Sequence, residues 1–210
     1  MDPGIFLIHA LNALQYGLLL FLVASGLTLI FGIMGIINLA HGSFYMIGAY
    51  MAFALGPLVQ AHLGGGFFVT LAVCVAAAVL YWVVTRTRIG MMVRAGASNR
   101  EMIGSLGVNI NRLYRWVFAV GVAMAALAGA LAAPVSSVYP GMGQGVLIIC
   151  FVVVVIGGIG SIRGTFLAAM LVAAIETFGQ VLFPAAAGVL VYLLMATILL
   201  FRPEGLFRQG

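Results

Sequence analysis

Few residues in this chain can do chemistry, and they stand in unusual places. Its 210 residues include four acidic side chains, three histidines and no lysine. Glu176 lies deep inside an apolar run, where a carboxylate is costly and by default faces a bundle interior or a water-filled cavity. It reads either as a hydrogen-bonded structural anchor or as part of the lining of a solute path. His9, Asn12 and Tyr16 recur at i, i+3 and i+7, which puts them on one helical face. That stripe reads as interhelical hydrogen bonding rather than solute contact. Asn38 and His41 stand in "GIINLAHGSFYMIGAY", Gly35 to Tyr50, between two long hydrophobic stretches. No pair among His9, His41 and His62 has metal-ligand spacing. Ser43 beside His41 lacks the positioned base and oxyanion donors a hydrolase needs, and no G-x-S-x-G or H-E-x-x-H motif occurs. No enzyme reading and no cofactor follow.

The elements that must position these groups are membrane helices. Hydrophobic residues make up 65% of the chain and charged ones 6%, against about a quarter charged in soluble domains. A span needs about 20 mostly apolar residues. Runs of that kind lie at about 5–31, 43–60, 66–85, 116–138, 145–160, 165–183 and 187–201. The expectation is an all-α, polytopic transmembrane bundle of about seven spans, a single membrane-embedded domain over 1–210. The first run is too long for a signal-peptide h-region, and Asp2 stands where a basic n-region belongs. Cys74 and Cys150 sit alone in apolar runs and read as packing residues.

Two of these segments are interrupted. Broken helix at membrane depth is tolerated only against protein or a water-filled cavity. "FGIMGIINLAHGSF" carries Gly32, Gly35 and Gly42 around Asn38 and His41, and "VVIGGIGSIRGTF" carries Gly158 and Gly160. Aligned without gaps, Gly35 meets Gly157, and "HGSF" (His41 to Phe44) meets "RGTF" (Arg163 to Phe166). This hints at an internal duplication, and paired Gly-interrupted segments point to a transporter's substrate site. Tight glycine turns between packed hairpin helices are the plainer alternative. A nucleotide-binding reading of "GGIGSIRG" fails, because Arg163 occupies the last position of G-x-G-x-x-G and a chain without lysine has no P-loop lysine.

Six of nine arginines fall in the polar segment of about 86–115, with Arg163 in a short connection and Arg202 and Arg208 in the tail. If 86–115 is cytoplasmic, every arginine falls on that side, as the positive-inside rule requires. The C-terminus is then cytoplasmic, and His62, beside "GGG", sits in an outer loop. The basic residues orient the chain; nucleic-acid binding is not implied. Within the polar segment, Ala97 to Leu106 can form about two and a half turns, with Gly107 as the stop. Met102, Ser105 and Leu106 share one face, while Arg100 and Glu101 point elsewhere. Such a helix suits either a groove on a partner or the lipid headgroup layer.

Here the residues carry a resemblance. "RAGASNREMIGSLGVNINR" resembles the coupling loop of ABC importer permeases, and "INLAHGSFYMIGAY" and "GGIGSIRG" resemble signatures of the branched-chain amino acid permease family. In that family a coupling helix docks on a separate ATPase, a periplasmic binding protein delivers the substrate, and permease subunits pair in the bacterial inner membrane. The resemblance implies coupling roles for Arg94, Ala95, Ala97 and Gly107, with Glu101 in the same loop, and path roles for Asn38, His41, Gly42, Gly158 and Gly160; Glu176 joins the path reading through its charge inside an apolar run. It implies transport of branched-chain amino acids or related small amides. An ion-coupled carrier or channel using Glu176 as its proton site is the alternative. Family members are usually longer, so the chain looks shortened in its middle.

Overall fold

A computed structural model describes residues 3–63 and 109–207. Six helices and no strand occur among them: α1 (Pro3–Met34), α2 (His41–Leu63), α3 (Ile110–Ala132), α4 (Met142–Gly157), α5 (Ile162–Leu182) and α6 (Ala187–Phe201). By length and composition α1, α3 and α5 can each cross a membrane, and α4 and α6 are shorter apolar helices. The predicted run at 66–85 and the predicted coupling helix at 97–107 lie outside the described residues, so the count of seven spans is not reached among them.

The ends of the helices follow from local chemistry. Pro3 opens α1, where its missing N–H costs nothing. α3 begins at 110, inside the stretch assigned to the polar loop, because the Asn109 side chain caps it by accepting from the Arg112 amide at 3.0 Å. It stops at Ala132 rather than 138: Ala133 still has helical angles, but Pro134 has no N–H to continue the ladder of hydrogen bonds. Ser161 caps α5 by accepting from the Gly164 amide at 3.1 Å. α2 continues through Leu63, so His62 belongs to its last turn and not to the expected loop. α4 ends at Gly158, whose φ of 94° is open to glycine and strained for other residues.

From Gly17 onward α1 is almost wholly apolar and occupies the centre, which is what such a segment requires, while its first half is largely exposed. α3, α4 and α5 pack on it, α2 packs on α3 and α4, and α6 lies outside against α4 and α5. α1 and α5 run antiparallel: Phe6 meets Phe178, Tyr16 meets Glu176, Phe21 meets Phe166 edge-on at 5.2 Å, and Thr28 meets Thr165. Small residues let the other backbones close in, as expected where van der Waals contact drives association. Gly48 and Gly129 lie against the backbones of Ala126 and Tyr45 at the α2–α3 contact, and Gly26 faces Gly121 where α1 meets α3. Cys150 is fully buried and unpaired with another cysteine. The tail turns back at Gly205, and the amides of Leu206 and Phe207 donate to the carbonyls of Ile156 and Gly157 at 2.8 and 3.3 Å. Those carbonyls belong to the end of α4, where helical partners run out.

Candidate functional site

The helices position three groups of residues. The first is the break between α1 and α2. Gly35 ends α1 with a φ of 67° and donates its amide to Phe31 O at 2.9 Å. Asn38 then forms a turn, its side-chain oxygen accepting from the Ala40 amide at 3.1 Å. α2 does not restart beside the end of α1. The His41 imidazole, fully buried, donates through Nε2 to the carbonyl of Val23 at 3.0 Å; a carbonyl can only accept, which fixes the tautomer. Val23 lies eleven residues before Met34, about 16 Å back along the helix. α2 therefore begins beside the middle of α1. Two polar atoms at this break, Asn38 Nδ2 and His41 Nδ1, are buried without a hydrogen-bond partner. Gly42 sits against the backbone of Gly143, in the first turn of α4.

The second group is the break between α4 and α5. Gly158 and Gly160 take φ values of 94° and 79°. Gly164 lies against the carbonyl of Gly157, and the tail backbone at Glu204 and Phe207 crowds Gly158. Thr165 donates to Ser161 O at 2.9 Å and shares a 2.8 Å bond with Thr28. Since the Thr165 proton is already used, Thr28 is the donor in that second bond. Both breaks end a helix at a left-handed glycine and restart it next to a close-packed Gly42 or Gly164. They differ in length, six residues against four, so the gapless alignment is one residue out at the glycine: Gly35 corresponds to Gly158. α4 runs from one break to the other.

The third group surrounds a cavity of about 550 Å³ between α1 and α5, completed by Tyr45, Ala132, Val146 and the connection at Val135 and Ser136. One wall carries His9, Asn12, Gln15 and Tyr16 from α1; the facing wall carries Glu176, Thr177 and Gln180 from α5. Asn12 and Gln180 are exposed at the mouth, and Leu19, Leu20 and Val23 form a buried apolar floor. Beyond the floor, the Phe21–Phe166 contact and the Thr28–Thr165 bond close the space between α1 and α5. Glu176 Oε2 accepts from the Tyr16 hydroxyl at 3.0 Å. The stripe of His9, Asn12 and Tyr16 thus supplies the interhelical bond expected of it and also faces the cavity.

Of the residues singled out from sequence, Glu176 lines the cavity, while Asn38, His41 and Gly42 gather at one break and Gly158 and Gly160 at the other. The cavity and the first break share Val23, which lines the one and supplies a carbonyl to the other. Arg94, Ala95, Ala97, Glu101 and Gly107 lie outside the described residues. Gln15, Tyr45, Thr177 and Gln180 also line the cavity, and sequence reading passed over them. Gln180 stands one turn from Glu176, a spacing that could have marked it. Among the described residues no three His, Cys, Asp or Glu side chains converge to hold a metal ion. The lining suits binding of a small, partly apolar solute; it pairs no nucleophile with a base.

The family described as branched-chain amino acid transport system, permease component, matches the chain over residues 9–79 and again over 60–200. The chain is 28% identical over 293 aligned positions to the high-affinity branched-chain amino acid transport system permease protein BraD of Pseudomonas aeruginosa, covering 96% of this chain and 95% of the relative. It is 25% identical over 299 positions to the permease protein LivH of the corresponding system in Escherichia coli K12, covering 95% and 96%. LivH of Salmonella typhimurium aligns with the same identity and coverage. Alignments longer than the 210 residues contain positions that this chain lacks, and the two family matches overlap at 60–79. The shortening therefore lies in the middle. No solved structure gives a significant match.

Proposed function

This chain belongs to the family of branched-chain amino acid transport system permease components, and from that membership we propose that it forms the translocation path of an ABC importer. The substrate is a branched-chain amino acid or a related small amide. A separate ATPase supplies the energy, docking on the 94–107 segment through Arg94, Ala95, Ala97, Glu101 and Gly107. A second permease subunit completes the path, and a periplasmic binding protein delivers the substrate. The chain crosses the bacterial inner membrane several times, with its C-terminus in the cytoplasm. In support, Arg163 and the tail that follows Arg202 lie at the same end of the bundle, joined by the Leu206–Ile156 hydrogen bond.

The observation that carries the reading is the cavity. It is polar at the mouth, has a carboxylate halfway down and an apolar floor, and is shut beyond that floor by side-chain contacts between α1 and α5. A permease holding its path open on one side only needs this arrangement, because a through-going hole would dissipate gradients. The two breaks supply what can change. Asn38, His41 and Gly42 border one end of α4, Gly158 and Gly160 the other, and buried polar atoms without partners mark the first as a place where a rearrangement gains hydrogen bonds.

The test is reconstitution. The chain is co-purified with candidate ATPase subunits, a second permease and a binding protein, and leucine and urea uptake are followed in vesicles. ATP-dependent uptake of leucine is expected. Uptake without ATP but with a proton gradient would favour the ion-coupled alternative through Glu176, and failure to assemble with any ATPase would remove the importer reading.

A further inference from the structure

The cavity's carboxylate, Glu176, is bonded to no cation among the described residues. Among the described residues the one polar partner of Glu176 is the Tyr16 hydroxyl, a neutral group that fills one of several acceptor positions of a carboxylate. Glu176 is half-buried and lies six residues before the end of α5, about 9 Å from the end that carries exposed Gln180. A charge drawn part-way out of water in an apolar wall is best tolerated when it is paired; among the described residues no arginine lines the cavity, and His9, which does, makes no hydrogen bond to Glu176.

The lining says what the missing partner looks like. A divalent metal would need several oxygen ligands converging on one point, but the neighbouring polar groups are spread along the walls. The amides of Asn12, Gln15 and Gln180 lie towards the mouth, with Glu176 and Tyr16 below them and Leu20 and Val23 at the bottom. From Gln15 past Tyr16 to Leu20 is five residues, about 7.5 Å of helix, close to the length of an aliphatic amino acid. This order matches a molecule with an ammonium group, a hydrogen-bonding anionic end and an aliphatic tail.

We propose that Glu176 is the ammonium-recognising group of a site for a zwitterionic aliphatic amino acid. The substrate's aliphatic side chain rests on Leu20, and its carboxylate accepts from the amides of Gln15 and Gln180. Tyr16 is a positioning residue that holds the Glu176 carboxylate towards the cavity. The inference rests on the translocation reading above and narrows it: a small amide without a free amino group leaves Glu176 unpaired and is not a substrate.

The experiment uses the full chain in lipid nanodiscs with radiolabelled leucine, displaced by unlabelled leucine, leucinamide, 4-methylpentanoate and N-acetylleucine. Leucine and leucinamide keep the ammonium and should compete. The last two lack it and should compete at least about tenfold more weakly, the size of a lost charge-assisted hydrogen bond. Glu176→Gln should weaken leucine binding about ten- to a hundredfold and abolish the preference over 4-methylpentanoate, with partial recovery in Glu176→Asp. Equal competition by 4-methylpentanoate, no leucine binding, or unchanged discrimination in Glu176→Gln would overturn the assignment. The ligand series on the unsubstituted chain decides even if the variants fail to fold. If the reconstituted importer takes up leucine while this series is flat, the ammonium site fails and the path reading stands; absent uptake removes the path reading itself.

Discussion

Replacing Gly26 by alanine tests whether the crossing of α1 and α3 holds the first break in place. A Cβ at position 26 would lie 2.6 Å from the Gly121 carbonyl oxygen, 3.1 Å from His41 Cε1 and 3.3 Å from the Gly121 carbonyl carbon. Ordinary contact begins at 3.4 Å, so the two helix backbones must separate by about 0.8 Å, and no flexible side-chain tip is available to absorb the shift. Overpacking of this kind costs about 1–3 kcal/mol. The separation also loads the 3.0 Å bond from His41 to Val23, whose loss adds about 1 kcal/mol. The better helix propensity of alanine returns up to about 1 kcal/mol, leaving a net loss of about 2 kcal/mol. Gly188→Ala is the control, since it lies in α6 with nothing within 4 Å of its added Cβ. Denaturant midpoints of the two variants in the same detergent give the comparison. A Gly26→Ala chain as stable as Gly188→Ala would refute the view that backbone contact fixes this crossing.

The other predictions follow from single contacts. Thr165→Val should cost more than Thr28→Val, by about 1 kcal/mol, because it leaves the buried Thr28 hydroxyl without an acceptor; matched unfolding midpoints check the order. In a background lacking Cys74 and Cys150, cysteine at half-buried Asn38 should react with a water-soluble thiol reagent. Cysteine at buried His41 should react only during turnover, and equal rates at rest would remove the break from the gating account. Gly107→Trp should abolish ATPase stimulation while the chain still inserts, read as ATP hydrolysis by the co-purified complex; normal stimulation would place coupling elsewhere.

Much of the architecture could be read from local chemistry. The runs at 145–160, 165–183 and 187–201 match α4, α5 and α6 to within three residues, because glycine, serine and proline punctuate them sharply. α3 starts six residues before the apolar run, because charged residues follow a good cap at Asn109, and it ends six residues short of 138, where Pro134 supplies no N–H. Glu176 was legible as a cavity or anchor residue from its charge alone, and Tyr16 from its spacing on α1. That these two would meet was not legible, since the pairing depends on the antiparallel register of helices 160 positions apart. The depth of His41 was hidden for the same reason. A Gly-rich turn looks alike in sequence whether the chain leaves the bundle or folds back to the middle of α1; the fold-back rests on the Val23 carbonyl and the Gly42–Gly143 contact.

The central claim is that the cavity between α1 and α5 is the substrate path. A single cysteine at Thr177, in the wall beside Glu176 and in a background without Cys74 and Cys150, tests it most directly. The account predicts that a water-soluble thiol reagent labels this position, that leucine slows the labelling, and that the labelled importer no longer takes up leucine. Labelling indifferent to leucine, with uptake intact afterwards, would contradict it.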